Sequence, residues 1–325
     1  MCPFKKDIRN ILVFRNDRFG EFLLNIPVLR ALKESFRDIK IIAIINPYVK
    51  ELAECVPFID TIIEWEQKKH SLLEKFKFIN LLKSKKIDIA IMLNPSKESN
   101  ILTYLSGIPL RIGYARKWGF LLTHKIKDKK YLSEKHEVEY NLDLAGSLGA
   151  TTQDKTLSLN INSYIITNLL KEFGIEESDK LIAVHPFTFD PIKQWPLRNF
   201  TQLCKELVKG LNTKVIIIGG KDELSKGAEF LNLDANIISL IGKTSLTQLA
   251  AFFKRCRLLI SGDSGPVHLA CAIGIPVIAI FRNDILGKSS KRWGPVSEAS
   301  IVVEKNNLED ITVEEVLAKT RSLIK

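Results

Sequence analysis

The sequence contains no C-x-x-C pair, no G-x-G, no D-x-D, no H-E-x-x-H and no apolar run long enough to cross a bilayer. Its five cysteines, Cys2, Cys55, Cys204, Cys256 and Cys271, form an odd and scattered set. That pattern excludes a disulfide framework and a zinc site of the usual spacing. Cys204, Cys256 and Cys271 lie in apolar stretches and read as small buried hydrophobes. Only 12 prolines and 17 glycines are spread over the chain, which excludes collagen-like and low-complexity architectures. The longest apolar-looking stretch, residues 267–281, carries His268, Gly274 and Pro276 and is too short for a membrane span. Residues 11–14 are the only apolar group before Arg15, so there is no secretory h-region. A soluble, cytoplasmic protein is expected.

What is present points to a large α/β chain. At 325 residues with 46% apolar and 26% charged residues, disorder is excluded and two hydrophobic cores are expected. Short Ile- and Val-rich runs at 11–14, 40–45, 61–63 and 87–93 read as buried parallel strands. Helical patterns occupy 22–36, 49–55 and 72–82. The rhythm repeats with strands at 181–184, 215–218, 258–260 and 276–280. Phe200, Leu203, Cys204, Leu207 and Val208 share one helix face, which Gly210 is expected to close. Ser245 is the expected N-cap for a second helix bearing Leu246, Leu249, Ala250 and Phe253. A turn-prone, charged stretch between Gly149 and Lys180 suggests the join, and the boundary is drawn at 165/166. Two open α/β sheets would place the loops after their strand C-termini on a shared cleft.

The net charge of +11 is uneven. Residues 1–165 hold 27 basic and 19 acidic residues, and 166–325 hold 21 and 18. The excess gathers at 68–86 and 111–130, a surface suited to anionic lipid, phosphorylated ligands or nucleic acid, or to solvation alone. No nucleic-acid-binding motif accompanies it.

Several near-motifs fail. Gly242-Lys243-Thr244 lacks the glycine five residues earlier that a P-loop requires, since position 237 is Ile. Gly262-Asp263-Ser264-Gly265-Pro266 resembles a serine-protease motif but lies between an apolar run and a helical pattern, not in an all-β chain. The absent D-x-D removes the metal-chelating pair of many nucleotide-sugar enzymes.

Three segments remain. Asp263 or Ser264 can cap a helix whose first turn contains Pro266, and such a helix start favours phosphate. The bland reading is a well-capped βα turn, with His268 a packing residue. Lys193, on a polar loop after His185-Pro186, can reach a phosphate; one such pair at ~4 Å gains roughly 4 kcal/mol before desolvation. Glu21, just after Gly20 at a helix start, is either dipole-stabilised or a carboxylate able to take a hydroxyl proton.

Together the segments resemble glycosyltransferase family 9, the bacterial lipopolysaccharide heptosyltransferases. The carriers are R-x-D-R-x-G-E-x-L-L-x-x-P-x-L-R-A-L from Arg15 and H-P-(x)₆-K-Q-W-P-x-x-x-F from His185. The most specific are G-K-T-S-L-x-x-L-A from Gly242 and G-D-S-G-P-x-H-L-A from Gly262. The resemblance implies a glycosyltransferase-B fold of two Rossmann-like domains facing a cleft. It implies inverting, metal-independent transfer of heptose from ADP-heptose to a lipid-linked acceptor, with no cofactor. By position, Glu21 matches the catalytic Asp, and Lys193 a lysine near the donor phosphates. Asp263, Ser264, Gly265 and His268 match the donor loop, and Asp222 or Glu223 an acidic donor contact. Arg15, Arg18, Arg116 and Lys117 are the expected acceptor contacts. The implied partners are a nucleotide sugar, an anionic glycolipid and the inner membrane surface, and no nucleic acid. Glu replaces the usual Asp at the base, and Ser264 replaces a common Thr. A transferase or epimerase for another nucleotide sugar, or a non-catalytic binding module, remains open.

Overall fold

The computed structural model describes residues 8–324. It divides into two compact units, Met1–Lys155 and Thr156–Lys325. The 165/166 boundary thus moves toward the N-terminus. The 3₁₀ turn Ser163–Ile166 packs on a helix of the second unit, and Lys254 Nζ donates to the Ile161 carbonyl at 2.7 Å.

The first unit carries strands β1 (Asn10–Phe14), β2 (Lys40–Ile45), β3 (Thr61–Glu64), β4 (Ile89–Met92), β5 (Leu110–Tyr114) and β6 (His124–Ile126). Its helices are α1 (Phe19–Leu23), α2 (Ile26–Ser35), α3 (Lys50–Ala53), α4 (Leu72–Ser84), α5 (Lys97–Leu105) and α6 (Glu137–Gly146). The six strands are parallel in the order β3-β2-β1-β4-β5-β6. Chain order reverses between β1 and β4, which is where open α/β sheets hold ligands.

The second unit repeats this plan with β7 (Leu181–His185), β8 (Lys214–Ile217), β9 (Ile237–Ser239), β10 (Cys256–Gly262), β11 (Val277–Arg282) and β12 (Ile301–Lys305). Its helices are α7 (Thr167–Glu172), α8 (Leu197–Leu211), α9 (Leu224–Gly227), α10 (Leu246–Phe253), α11 (Gly265–Ile273), α12 (Ser290–Trp293) and α13 (Val313–Leu323). The sheet order β12-β11-β10-β7-β8-β9 puts the corresponding reversal between β7 and β10.

Central strands are buried along their length, as Ile11, Leu12, Val13 and Phe14 show, because helices cover both sheet faces. In the second unit Trp195 is fully buried, edge-on to Phe200 at 4.7 Å, and its indole N–H donates to the Ile311 carbonyl at 3.0 Å. Cys55, Cys204, Cys256 and Cys271 are unpaired, and burial pushes the thiols of the last three up. Cys2 lies outside the described residues. No helix among the described residues is long and apolar enough to cross a membrane.

Two helix expectations need correction. The single helix at 22–36 is two, α1 and α2, broken at Leu24-Asn25. Pro27 has no N–H to give and its ring would strike the carbonyl four residues back, at Leu23. Gly210 lies inside α8, and the helix ends instead at Asn212, in the left-handed region at φ 48°. The Ser245 cap forms as expected, reciprocated by Gln248.

Candidate functional site

In the second unit, β7 and β10 run side by side with Ser261 opposite His185. The loop after β7 is tied down by Gln194, whose amide donates to the carbonyls of Pro186 (2.6 Å) and Trp195 (2.7 Å) and accepts from Thr188 N–H at 3.1 Å. Lys288 Nζ meets Asp190 at 2.6 Å, and Arg282 donates to the Ile192 carbonyl at 3.0 Å, bracing the loop's far side. Lys193 is thereby delivered to Asp263, Nζ to Oδ2 2.5 Å. Burial pushes the Asp263 carboxyl up, and Lys193 pulls it partly back. The ammonium has three donors, so it can keep Asp263 and still reach a phosphate oxygen.

Backbone clearance is small here. A Cβ on Gly262 would lie 3.1 Å from Thr188 Cγ2 and 3.7 Å from the Lys193 carbonyl oxygen. Gly262→Ala is expected to shift the Lys193 loop by a few tenths of an ångström. Turnover should fall about 10-fold, with only a small change in melting temperature. Steady-state kinetics beside a thermal melt checks this.

Ser264 occupies the N-cap position of α11 with extended backbone, and Pro266 lies in the first turn as expected. Its hydroxyl does not cap the helix. It meets His185 Nδ1 at 3.0 Å and Ser261 Oγ at 2.8 Å, so the first-turn N–H groups have no side-chain cap. Of the acidic pair after β8, Asp222 is exposed, whereas Glu223 accepts from Gly220 N–H at 2.7 Å and lies 3.7 Å from His185 Nε2. Burial pushes the Glu223 carboxyl up, but His185 and the Gly220 N–H hold it below the ordinary value. His268 is buried one turn into α11.

In the first unit the chain after β1 enters α1 from Arg18 at the N-cap, so Gly20 lies buried inside the helix rather than at its entry, and Glu21 sits half-buried in the first turn. Burial and the neighbouring Asp17 carboxylate push Glu21 up, against the pull of Arg15 and Arg18. Tyr48 accepts from Phe19 N–H at 2.9 Å; burial and the same carboxylates push its phenol up to about 12. Arg15, expected to meet the acceptor, is buried. It binds Asp17 (2.7 Å) and the Leu93 carbonyl (3.2 Å) and lies 4.0 Å from Glu137. Behind it Lys130 Nζ meets Glu137 at 2.6 Å and Asn141 at 3.3 Å. Asn141 donates to Asn25 at 3.0 Å, and Asn25 donates to the Glu21 carbonyl at 2.9 Å. This chain anchors the backbone that carries Glu21. Arg18 and Lys117 are exposed, and Arg116 lies 3.4 Å from Asp128.

The structure thus groups Lys193, Asp263, Ser264 and Glu223 in one unit and sets Glu21 at the equivalent position of the other. Sequence reasoning assigned no role to His185, Asp17, Tyr48 or the Lys130–Glu137 pair. His185 was visible only as part of the H-P motif, and no spacing signal links Glu137 to Arg15.

An Escherichia coli ADP-heptose lipopolysaccharide heptosyltransferase II structure aligns at a TM-score of 0.84 with 23% identity, over 97% of this chain and 98% of that one. An E. coli heptosyltransferase solved with ADP-2-deoxy-2-fluoro heptose aligns at 0.74 with 17% identity, over 96% and 99%. A Haemophilus influenzae putative glycosyltransferase is 27% identical over 98% of this chain and 97% of its own length. The fold is that of the glycosyltransferase-B enzymes, built from two Rossmann-like units. The profile of glycosyltransferase family 9 (heptosyltransferase) matches residues 75–319, and the chain belongs to that family.

Proposed function

We propose that the protein transfers heptose from ADP-heptose to a lipid-linked lipopolysaccharide core acceptor, by direct displacement with inversion and without a metal. The observation that carries this reading is the Lys193–Asp263 pair beside the start of α11, where no side-chain cap occupies the helix's first N–H groups. The diphosphate would lie against that helix start, with Lys193 neutralising charge as it leaves. Glu21, with its raised pKa, would remove the acceptor hydroxyl proton. In this displacement the acceptor oxygen, losing its proton to Glu21, attacks the anomeric carbon on the side opposite the leaving diphosphate. A thermal-shift panel tests the donor class: stabilisation by ADP exceeding that by UDP or GDP supports it, and the reverse order refutes it.

The acceptor's lipid places the enzyme at the cytoplasmic face of the inner membrane in this reading. Leu72, Leu73 and Phe76 on α4, and Trp118 and Phe120 after β5, are exposed among Lys69, Lys77, Lys97 and Lys117. Both groups follow strand C-termini of the first sheet, as the Glu21 loop does. Exposed apolar side chains close in sequence to exposed lysines suit an anionic lipid surface. The protein is expected to co-sediment with phosphatidylglycerol vesicles and not with phosphatidylcholine vesicles, and salt should release it. Phe76→Glu should weaken the association; equal sedimentation with both lipids would refute it.

A further inference from the structure

Glu21 sits in the middle of α1, a helix of five residues. A single turn of that length does not hold its own direction, and Arg18 at its N-cap makes no side-chain hydrogen bond to it. The groups that fix α1 come from elsewhere in the first unit, one set at each end. At the first end, the Tyr48 phenol accepts from the Phe19 N–H at 2.9 Å and donates to the Asp17 carbonyl at 3.4 Å. Tyr48 lies in the 3₁₀ turn Pro47–Val49 that follows β2, and the Asn46 side chain accepts from its backbone N–H at 3.4 Å. Because β2 pairs in parallel with β1, this turn and the Glu21 segment leave the sheet side by side.

At the far end, the Asn25 N–H turns to the Phe22 carbonyl at 3.0 Å, so the Glu21 carbonyl lacks the donor that a continuing helix would give it. The Asn25 side-chain amide takes that place at 2.9 Å. The Val28 N–H likewise turns to the Asn25 carbonyl at 2.9 Å, and the Leu24 carbonyl it would have met lies 3.5 Å from the Asn141 amide nitrogen. Donor counting orients both amides. The Lys130 ammonium has donors only, so the Asn141 oxygen faces it at 3.3 Å. The Asn141 NH₂ group then serves the Asn25 oxygen at 3.0 Å and the Leu24 carbonyl, which leaves the Asn25 NH₂ group for the Glu21 carbonyl. Asn25 and Asn141 are both fully buried, so solvent does not compete for these contacts.

We propose that Tyr48 and Asn141 are positioning residues: by fastening α1 at its two ends, they aim the Glu21 carboxylate at the acceptor hydroxyl. The inference rests on the reading of Glu21 as the base. Neither side chain has to touch a substrate. A helical side chain points where its backbone sends it, and a displacement of about 1 Å at a reacting group can cost on the order of 10²-fold in rate.

The test is transfer from ADP-heptose to a heptose-deficient lipopolysaccharide acceptor by Tyr48→Phe and Asn141→Leu, each alone and each combined with Glu21→Gln. With Glu21 present, each substitution is expected to lower kcat about tenfold, while acceptor KM and ADP affinity stay within about twofold of wild type. In the Glu21→Gln background neither should cost more than about a further twofold, since no carboxylate remains to be aimed. Equal losses in the two backgrounds overturn the proposal, because a general structural defect multiplies with the loss of the base. An unchanged kcat also overturns it, as does an acceptor KM that rises while kcat holds, which would make the side chain a binding contact. Tyr48→Phe keeps the half-exposed ring and removes one hydroxyl, so it decides the question should Asn141→Leu not fold. Wild-type turnover by Glu21→Gln alone would instead overturn the base reading itself.

Discussion

Glu21→Gln should lower kcat by about 10²–10⁴-fold, the usual contribution of a positioned general base, while ADP binding and the fold survive. Two features set this expectation. Burial beside Asp17 raises the Glu21 pKa, which brings a carboxylate toward the pH at which a base both exists and accepts a proton effectively. The Asn25 side chain holds the Glu21 carbonyl at 2.9 Å, and glutamine leaves that backbone contact unchanged. The stability sign runs opposite to the activity. An acid whose folded pKa lies above its unfolded value binds its proton more tightly when folded, so stability falls as pH rises through that interval. Removing the charge at neutral pH should therefore leave the melting temperature unchanged or higher. Wild-type activity should rise with pH along a limb above the ordinary glutamate range, and the variant should lack that limb. Single-turnover kinetics over pH, beside a melt, checks both. A variant with wild-type turnover would show that another group takes the proton.

Lys130→Met should destabilise the first unit by about 3–5 kcal/mol, the usual cost of removing one partner of a buried ion pair. Lys130 and Glu137 are 3% and 2% exposed, and their 2.6 Å contact lies beside the Tyr114 ring, whose centroid is 4.8 Å from Nζ. Methionine fills the aliphatic volume but removes the 2.6 Å partner of Glu137, while Arg15 stays 4.0 Å away. The melting temperature should fall by about 10 °C or more, as followed by calorimetry. Adding Glu137→Leu should recover much of the loss, because well-packed apolar pairs replace buried ion pairs at little cost. A single variant within about 1 kcal/mol of wild type would contradict this account, since that is the size of a surface pair.

The strands that read clearly from sequence are those covered on both faces. Ile11-Leu12-Val13-Phe14 and the run at 40–45 are continuous apolar segments for that reason. The strands that were not read lie toward the sheet margins. β6 is His-Lys-Ile and β12 ends in Glu-Lys, because side chains there face water and break the apolar signal. The break at Pro27 was overlooked because the apolar periodicity runs on through it, and Gly210 was overvalued because Asn212 supplies the left-handed turn. The candidate site residues were singled out by their place in the segment after a strand: Asp263 follows β10 directly, whereas Glu21 lies in α1 after β1 and Lys193 in the loop after β7. Their partnerships were not. His185 and Ser264 are 79 residues apart, and only the register of β7 against β10 brings them together. The Lys130–Glu137–Asn141–Asn25 chain likewise depends on α6 packing on α2. Arg15 read as an acceptor contact because it stands in a charged loop, whereas its burial turns it toward Asp17 and the Leu93 carbonyl.

The most direct measurement incubates the protein with ADP-heptose and a heptose-deficient lipopolysaccharide acceptor in excess EDTA, and determines the anomeric configuration of the new linkage by NMR. Stoichiometric ADP release with an inverted glycosidic bond is the predicted result. No transfer, transfer that requires a divalent cation, or a product that retains the donor's configuration would contradict an acceptor activated by Glu21 and a leaving diphosphate held by Lys193.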